Sequence, residues 1–116
     1  MSTQSVLFQS ISSNNPAKFY VLSASAHQNY PNTLFIKAQA NQLNLGSHST
    51  SNQRIIYQYI HENGIQSCQL AMGATIMQEG SVWNSVPPHT HTRRPEIYFY
   101  FDIPSKQRVF HFLGLP

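Results

Sequence analysis

Two histidines and one glutamate are the residues of this sequence whose types and spacing are best suited to chemistry. His89 and His91 are two residues apart, so their imidazoles project to the same face of a strand. Glu96 comes five residues after His91, which would place it on the opposite face of an unbroken strand. Residues 92–95, TRRP, break the strand, and a turn there can bring the carboxylate back toward the histidines. Two histidines and one carboxylate are suitable ligands for zinc with an open coordination position, or for manganese or non-haem iron.

The alternative to a metal site is that both histidines are surface residues beside a proline-rich turn. The spacing of Glu96 and the strand pattern directly after it favour the metal. In that strand, one face is shared by Glu96, Tyr98, Tyr100 and Asp102, and the other by Ile97, Phe99, Phe101 and Ile103. The Glu96 face must point into the site, so the pattern predicts a partly polar lumen in which Tyr98 and Tyr100 contact a substrate.

The opposite face of this strand carries four large apolar side chains that must be covered. An exposed row of that size would promote aggregation, so the row predicts packing against a second sheet, a second domain or another subunit. The low share of charged residues, 9%, also suggests that a partner covers part of the surface. We therefore expect self-association through Ile97, Phe99, Phe101 and Ile103, with packing against the chain's own strands as the alternative.

Two adjacent arginines, Arg93 and Arg94, lie beside the proposed metal ligands. The planar guanidinium group binds carboxylates through two parallel hydrogen bonds. A small anionic sugar, such as a sugar acid, is therefore the expected ligand, and the alternative is that both arginines are solvated loop residues. The remaining histidines stand alone in the sequence and are expected to be structural or solvated: His27, His48, His61 and His111.

The length and the charge distribution of the chain exclude some classes of function. The 116 residues fit one small domain. The net charge of +3 comes from seven basic and four acidic residues, and the basic residues are scattered, so no nucleic-acid partner is expected. Cys68 is the single cysteine, so no internal disulfide can form. We see no signal peptide and no membrane span, so a cytoplasmic location without a membrane partner is expected.

Strand-forming segments dominate the rest of the sequence, and no window shows a convincing helical period. Short β-type runs are expected at residues 6–11, 17–24, 33–37, 54–60, 69–77, 97–103 and 108–113, with an extended segment at 80–88. Several short strands at regular spacing predict an all-β sandwich or barrel. Residues 38–53 are polar and rich in Gln, Asn and Ser, and they are expected to form a connecting arm or else a long surface loop.

Several motifs give the sequence a resemblance to a known family. The pattern HxHxxxxE, formed by His89, His91 and Glu96, is the core of the first cupin motif. The flanking motifs are NPAKFY at 15–20, TSNQRIIYQYI at 50–60, CQLAMG at 68–73, GSVWNSVPPHTHTRRPEIYFYFD at 80–102 and RVFHFLGLP at 108–116. With these motifs the chain resembles, over nearly its whole length, the 5-keto-4-deoxyuronate isomerases of the cupin superfamily. These are the 4-deoxy-L-threo-5-hexosulose-uronate ketol-isomerases of pectin breakdown.

The resemblance implies an all-β, cupin-like β-sandwich or barrel that is truncated relative to the family. Members have two cupin domains and are more than twice as long as this chain. Residues 1–37 would then be a remnant of the first domain, 38–53 a connecting arm, and 54–116 the first half of the second, metal-binding domain, together forming one compact unit. Pro95 stands where relatives usually have a larger apolar residue.

The resemblance also implies a bound zinc, with manganese or iron as alternatives, and a homo-oligomer. The ligands would be His89, His91 and Glu96, and the family's fourth ligand, a histidine well downstream of the glutamate, would lie past Pro116. The implied activity is a metal-dependent aldose–ketose shift on 4-deoxy-5-keto uronates, for which the residues here do not identify the base. The alternative is a catalytically inactive oligomeric module that binds a metal or a small sugar acid, or a purely structural oligomer with an empty site.

Overall fold

The computed structural model describes residues 5–85 and 87–114, and residues 1–4, 86 and 115–116 lie outside the described part. Three strands form one antiparallel sheet in the order β1-β2-β3, with β1 at Asn41–Leu45, β2 at Arg54–Ile60 and β3 at Met72–Met77. Two single-turn 3-10 helices lie at Lys37–Gln39 and His48–Thr50. The described residues contain no α-helix, and so none that could cross a membrane, which agrees with the all-β class.

β2 is the central strand because its sequence, RIIYQYI, combines β-branched and aromatic residues that pack well on a pleated surface. It pairs with both neighbours, and six of its seven residues are half-buried. Ile56 lies opposite Leu43 of β1 and Thr75 of β3, so these three side chains share one face of the sheet. The strands predicted at 54–60 and 69–77 are confirmed, although β3 begins at Met72 rather than at Gln69.

The polar strand β1 lies inside segment 38–53, which the sequence predicts as a connecting arm or surface loop. That expectation is wrong for Asn41–Leu45, which pairs with β2 in a regular antiparallel register. The sequence of β1, NQLNL, has no β-branched or aromatic residue, so its composition gives little indication of a strand. All five of its residues are exposed. β1 is a strand because its backbone groups satisfy those along the edge of β2. The division of the chain into parts of two cupin domains stays a prediction.

Five other segments predicted as strands are not strands in the described structure: 6–11, 17–24, 33–37, 97–103 and 108–113. They have the β-branched and aromatic composition of strands, but a strand also needs a neighbour that exchanges backbone hydrogen bonds with it. Within residues 5–85 and 87–114 these segments have no such partner, so the prediction that they form strands is wrong. The cupin-like barrel stays a prediction, and Val86 of the expected extended segment 80–88 lies outside the described residues.

Two buried polar residues, Asn52 and Arg54, lie where the turn after β1 leads into β2. Asn52 and Arg54 are 9% and 7% exposed. The Asn52 side-chain oxygen accepts hydrogen bonds from the Ser47 backbone N–H (3.0 Å) and from the Thr50 hydroxyl (2.6 Å). Its backbone carbonyl accepts another from the Arg54 guanidinium (2.9 Å). Because both oxygens of Asn52 are paired, the turn can bury them and still hold β1 and β2 in register, whereas Arg54 Nε is buried without a partner among the described residues.

The substitution Gly46→Ala is expected to lower the free energy of unfolding by about 2–4 kcal/mol. Gly46 directly follows β1 and has a φ of 71°, where any side chain adds strain. A Cβ there would also overlap the backbone carbonyl and side-chain oxygen of Asn52. Gly80→Ala is the matched control, because φ is 77° there but the new Cβ would meet the movable His48 ring, at 3.0 Å. Urea denaturation measures the free energy of unfolding of both variants, and we expect the smaller decrease in Gly80→Ala. Equal decreases would show that the overlap with Asn52 does not destabilise Gly46→Ala.

Candidate functional site

The proposed metal ligands lie on a bent segment that follows β3. The backbone bends at Thr92 and Arg93, within the TRRP stretch. The bend brings the Glu96 carboxylate back to His91, whose Nε2 lies 3.0 Å from Glu96 Oε1. The His89 and His91 rings are adjacent, with centroids 5.0 Å apart and planes at 90°. The structure therefore places His91 beside Glu96 across the bend, and the His89 ring beside that of His91.

The donor atoms of this cluster fit a metal ion in part. Two ligands bound to one zinc at tetrahedral angles lie about 3.3 Å apart, close to the 3.0 Å between His91 Nε2 and Glu96 Oε1. His89 Nδ1 donates a hydrogen bond to the Pro87 carbonyl at 2.9 Å, which leaves Nε2 as the nitrogen with a free lone pair. Among the described residues, no three His, Cys, Asp or Glu side chains converge on one ion position. His89 would therefore have to turn toward the His91–Glu96 pair to complete a three-ligand set.

Both carboxylate oxygens of Glu96 have donors around them. The Tyr98 hydroxyl donates to Oε2 at 3.0 Å, and Arg94 Nη2 donates to Oε1 at 3.1 Å. The same Arg94 nitrogen lies 3.3 Å from His91 Nε2. Nε2 can accept this hydrogen bond when it carries no proton, and it donates to Glu96 when it does. Arg94 therefore contacts both atoms that the sequence assigns to the ion.

The charge state of Glu96 suits a metal ligand. Partial burial acts to raise its pKa, but the hydrogen bond from Tyr98, the positive charges of His91 and Arg94 and the Arg94 hydrogen bond outweigh it. The pKa of Glu96 therefore lies below its ordinary value, and the group is ionised at neutral pH. With the His91 and Glu96 side chains 31% and 33% exposed, solvent and a small ligand can reach the pair.

The two predicted arginines line an open pocket beside the cluster. Its volume is about 440 Å³, and its lining residues are Thr90, His91, Thr92, Arg93 and Arg94. Arg93 forms no hydrogen bond or ion pair with any described residue, so its guanidinium is available to a ligand. The pocket suits a small anion because two cationic side chains line it and none of its residues is acidic.

The aromatic segment 97–103 keeps two distinct faces although it is not a strand. Tyr98 stacks on Tyr100 with centroids 6.4 Å apart, and Phe99 stacks on Phe101 at 6.0 Å. The alternation ends at Asp102, whose φ is 53° and whose carboxylate pairs with Lys18 Nζ at 2.8 Å. Asp102 is therefore not part of the tyrosine face, contrary to the strict alternation that the sequence predicts.

His111 is a neighbour of the cluster that sequence reasoning treated as an isolated residue. Its Nδ1 shares a hydrogen bond of 3.0 Å with the Tyr100 hydroxyl, and its ring centroid lies 5.1 Å from that of Tyr98. A turn closed by the hydrogen bond from Gln107 N–H to the Pro104 carbonyl, 2.8 Å long, separates the two segments. The sequence signal for this contact is the break DIPSKQ at 102–107 between two alternating runs, because a turn there brings residues on either side of it together.

Tyr98→Phe is expected to weaken metal binding about tenfold, because it removes the hydrogen bond that orients the Glu96 carboxylate. Tyr100→Phe is the matched control, since the Tyr100 hydroxyl contacts His111 instead of Glu96. Its expected effect is less than about twofold. Competition titrations against a coloured chelator measure both affinities, and equal effects of the two variants would show that Tyr98 does not orient Glu96.

Known proteins resemble this chain along nearly its full length. Residues 4–114 match the model of the KduI/IolB family. The chain is 50% identical over 113 residues to a 4-deoxy-L-threo-5-hexosulose-uronate ketol-isomerase of Oceanobacillus iheyensis, a match that covers 97% of this chain and 41% of the relative. It is 49% identical over 116 residues to the protein of that name from Caldicellulosiruptor bescii, covering 100% of this chain and 42% of the relative.

A third relative with the same name, from Formosa agariphila, is 47% identical over 116 residues, covering 100% of this chain and 41% of the relative. The chain thus spans about two fifths of the length of these relatives. These matches confirm the resemblance to the ketol-isomerases that the motifs indicate. The family model matches residues 4–114, and two relatives aligned with every residue of this chain are 49% and 47% identical to it. The chain therefore belongs to the KduI/IolB family.

Proposed function

We propose that this chain is part of a metal-dependent ketol-isomerase that acts on 4-deoxy-5-keto uronate sugars from pectin breakdown. The observation that supports this most is the approach of the His91 imidazole to the Glu96 carboxylate, 3.0 Å apart, with the His89 ring beside them. The relatives carry the name of a uronate ketol-isomerase. We also propose that the three-stranded sheet belongs to a cupin-like β-sandwich and that zinc is the preferred ion.

The proposed reaction moves a proton between adjacent carbons of the sugar. A proton leaves the carbon that bears a hydroxyl, an enediol forms, and a proton arrives at the former carbonyl carbon, so that the product is an isomer. An ion held by His89, His91 and Glu96 would polarise the substrate oxygens and stabilise the negative charge that develops on them. The His91 and Glu96 side chains suit this role because they pair closely yet remain open to solvent.

Side chains around the ligands would bind and orient the sugar. Arg93 and Arg94 line the open pocket and suit the carboxylate of a uronate. Tyr98 would hold Glu96 in place through its hydrogen bond. Tyr100 stacks beside Tyr98 and would present its hydroxyl to the sugar from the same face.

Isomerisation in heavy water tests this proposal. The protein is loaded with zinc and supplied with 4-deoxy-5-keto uronate, and proton NMR follows both the loss of the aldehyde signal and the entry of deuterium from solvent. We expect turnover that a chelator abolishes and added zinc restores, and an unchanged rate in Lys106→Gln, which removes one charge on the 104–107 turn. Zinc binding without turnover or deuterium entry would contradict the isomerase and favour a binding module.

A sugar-acid-binding module is the second candidate, and the observation that favours it is the open pocket with two arginines. Such a module needs no proton transfer, so it would bind a uronate and leave it unchanged. The NMR experiment separates the two candidates, because a binding module broadens or shifts the signals of the sugar without consuming it.

A further inference from the structure

Arg94 lies where its charge competes with a metal ion. One of its nitrogens, Nη2, is 3.1 Å from Glu96 Oε1 and 3.3 Å from His91 Nε2. Those two atoms are themselves 3.0 Å apart, so the three form a nearly equilateral triangle. The guanidinium group therefore supplies positive charge against the same pair of atoms that an ion would join.

The contact with Arg94 uses the electron pairs that an ion needs. His91 Nε2 binds a metal only when it carries no proton, and this is the form that accepts the hydrogen bond from Arg94. Glu96 Oε1 is engaged by the same guanidinium nitrogen. A cation that approaches both atoms also meets the like charge of Arg94 at short range, which disfavours simultaneous binding. Ion binding therefore requires that Arg94 moves away.

The Arg94 side chain is exposed to solvent and lies beside an open pocket that it could occupy. Its side chain is 57% exposed, and it lines the open pocket of about 440 Å³. A guanidinium that leaves Glu96 loses its carboxylate partner and becomes available to the carboxylate of another molecule. Arg93, which forms no hydrogen bond or ion pair with a described residue, lines the same pocket.

We propose that Arg94 couples metal binding to the binding of an acidic sugar. Without an ion, Arg94 neutralises the His91–Glu96 pair. With an ion in place, Arg94 is displaced and binds the carboxylate of a uronate in the adjacent pocket. This inference rests on the proposed metal site and adds that ion and uronate favour each other's binding, because each favours the displaced position of Arg94. By linkage, the factor by which zinc raises uronate affinity equals the factor by which the uronate raises zinc affinity.

Zinc affinity alone tests the first half of the proposal. Zinc is titrated into the protein against a coloured chelator, without any sugar. Arg94→Gln is expected to bind zinc about three to ten times more tightly than the unmodified protein, because the competing charge is gone. Lys106→Gln removes the same charge on the 104–107 turn and is expected to change zinc affinity less than about twofold. An equal or lower zinc affinity in Arg94→Gln overturns the proposal.

D-galacturonate, measured by calorimetry with and without zinc, tests the second half. In the unmodified protein we expect zinc to raise its affinity about tenfold, with no such effect on neutral D-galactose. In Arg94→Gln the effect of zinc is expected to fall below about twofold. An effect of zinc that survives this substitution would mean that the carboxylate binds the ion directly, and the proposal would be wrong. Arg94→Lys keeps the positive charge but cannot donate two parallel hydrogen bonds to a carboxylate. Its zinc affinity should stay near that of the unmodified protein, while the factor by which zinc raises D-galacturonate affinity should decrease.

The outcomes separate this proposal from the function on which it rests. If the unmodified protein binds zinc and Arg94→Gln binds it no better, the coupling fails while the metal site stands. If neither protein binds zinc, both the metal site and the coupling fail. If only Arg94→Gln binds zinc, competition by Arg94 is supported directly.

Discussion

His91→Ala is expected to lower the affinity of the protein for zinc by at least about 100-fold. His91 is the histidine whose Nε2 approaches the Glu96 carboxylate, at 3.0 Å, and its ring also contacts that of His89. Without it, Glu96 and His89 have no shared neighbour among the proposed ligands. The remaining two donors would be a weak and poorly arranged site, because zinc sites in proteins use at least three protein ligands.

His27→Ala is the matched control for this substitution. His27 is exposed and belongs to the loop that precedes the sheet. The zinc affinity of His27→Ala should therefore stay within about twofold of that of the unmodified protein. Zinc content after dialysis, measured on both variants and on the unmodified protein, provides the test. Full zinc occupancy in His91→Ala would show that the ion binds at another site.

Phe101→Ser is expected to weaken self-association of the protein by at least about 30-fold. We propose that the protein associates through the row formed by Ile97, Phe99, Phe101 and Ile103, which are 73%, 59%, 62% and 41% exposed. Tyr20 stacks on Phe99 at 4.8 Å, so one part of the row packs against the chain itself. Phe101 is the better target because its ring contact is with Phe99 of the same row, and removing it takes a large apolar group from the centre of the row.

Leu34→Ser is the matched control, since Leu34 is 88% exposed and lies outside the row. Light scattering over a series of protein concentrations measures the mass of each variant. We expect the unmodified protein and Leu34→Ser to exceed the mass of one chain and Phe101→Ser to approach it. A single-chain mass for the unmodified protein at every concentration would refute association through this row.

Part of the site could be predicted from the sequence because its geometry depends on local rules. The two-residue spacing of His89 and His91 predicts that their rings lie near each other, and the TRRP break gives a physical reason for Glu96 to return toward His91. The separate tyrosine and phenylalanine faces follow from the same alternation, and the ring contacts preserve them up to Phe101. These features need no knowledge of the rest of the chain.

Other contacts of the site depend on distant or mobile groups and could not be predicted in this way. The hydrogen bond between Tyr100 and His111 requires the turn at 104–107 to align two segments that are eleven residues apart. The position of Arg94 depends on the conformer of a long side chain, which the sequence pattern does not determine. His111 therefore looked isolated, and Arg94 looked like a ligand contact alone.

The fold was predictable only where composition and pairing agree. β2 is rich in β-branched and aromatic residues and lies between two strands, so its pattern and its pairing give the same answer. β1 has the opposite character, because its polar sequence gives little strand signal and its pairing with β2 makes it a strand. Segments 97–103 and 108–113 have strong strand composition but no ladder partner among the described residues. Composition therefore indicated the all-β class without fixing which segments pair.

Metal stoichiometry tests the central claim most directly. Elemental analysis is made on untagged protein purified without added metal, and again after soaking with zinc and washing. The His89–His91–Glu96 site predicts about one zinc, manganese or iron ion per chain, and the loss of that ion in His91→Ala. No bound metal in the unmodified protein, even after soaking, would contradict a metal-dependent isomerase at this site.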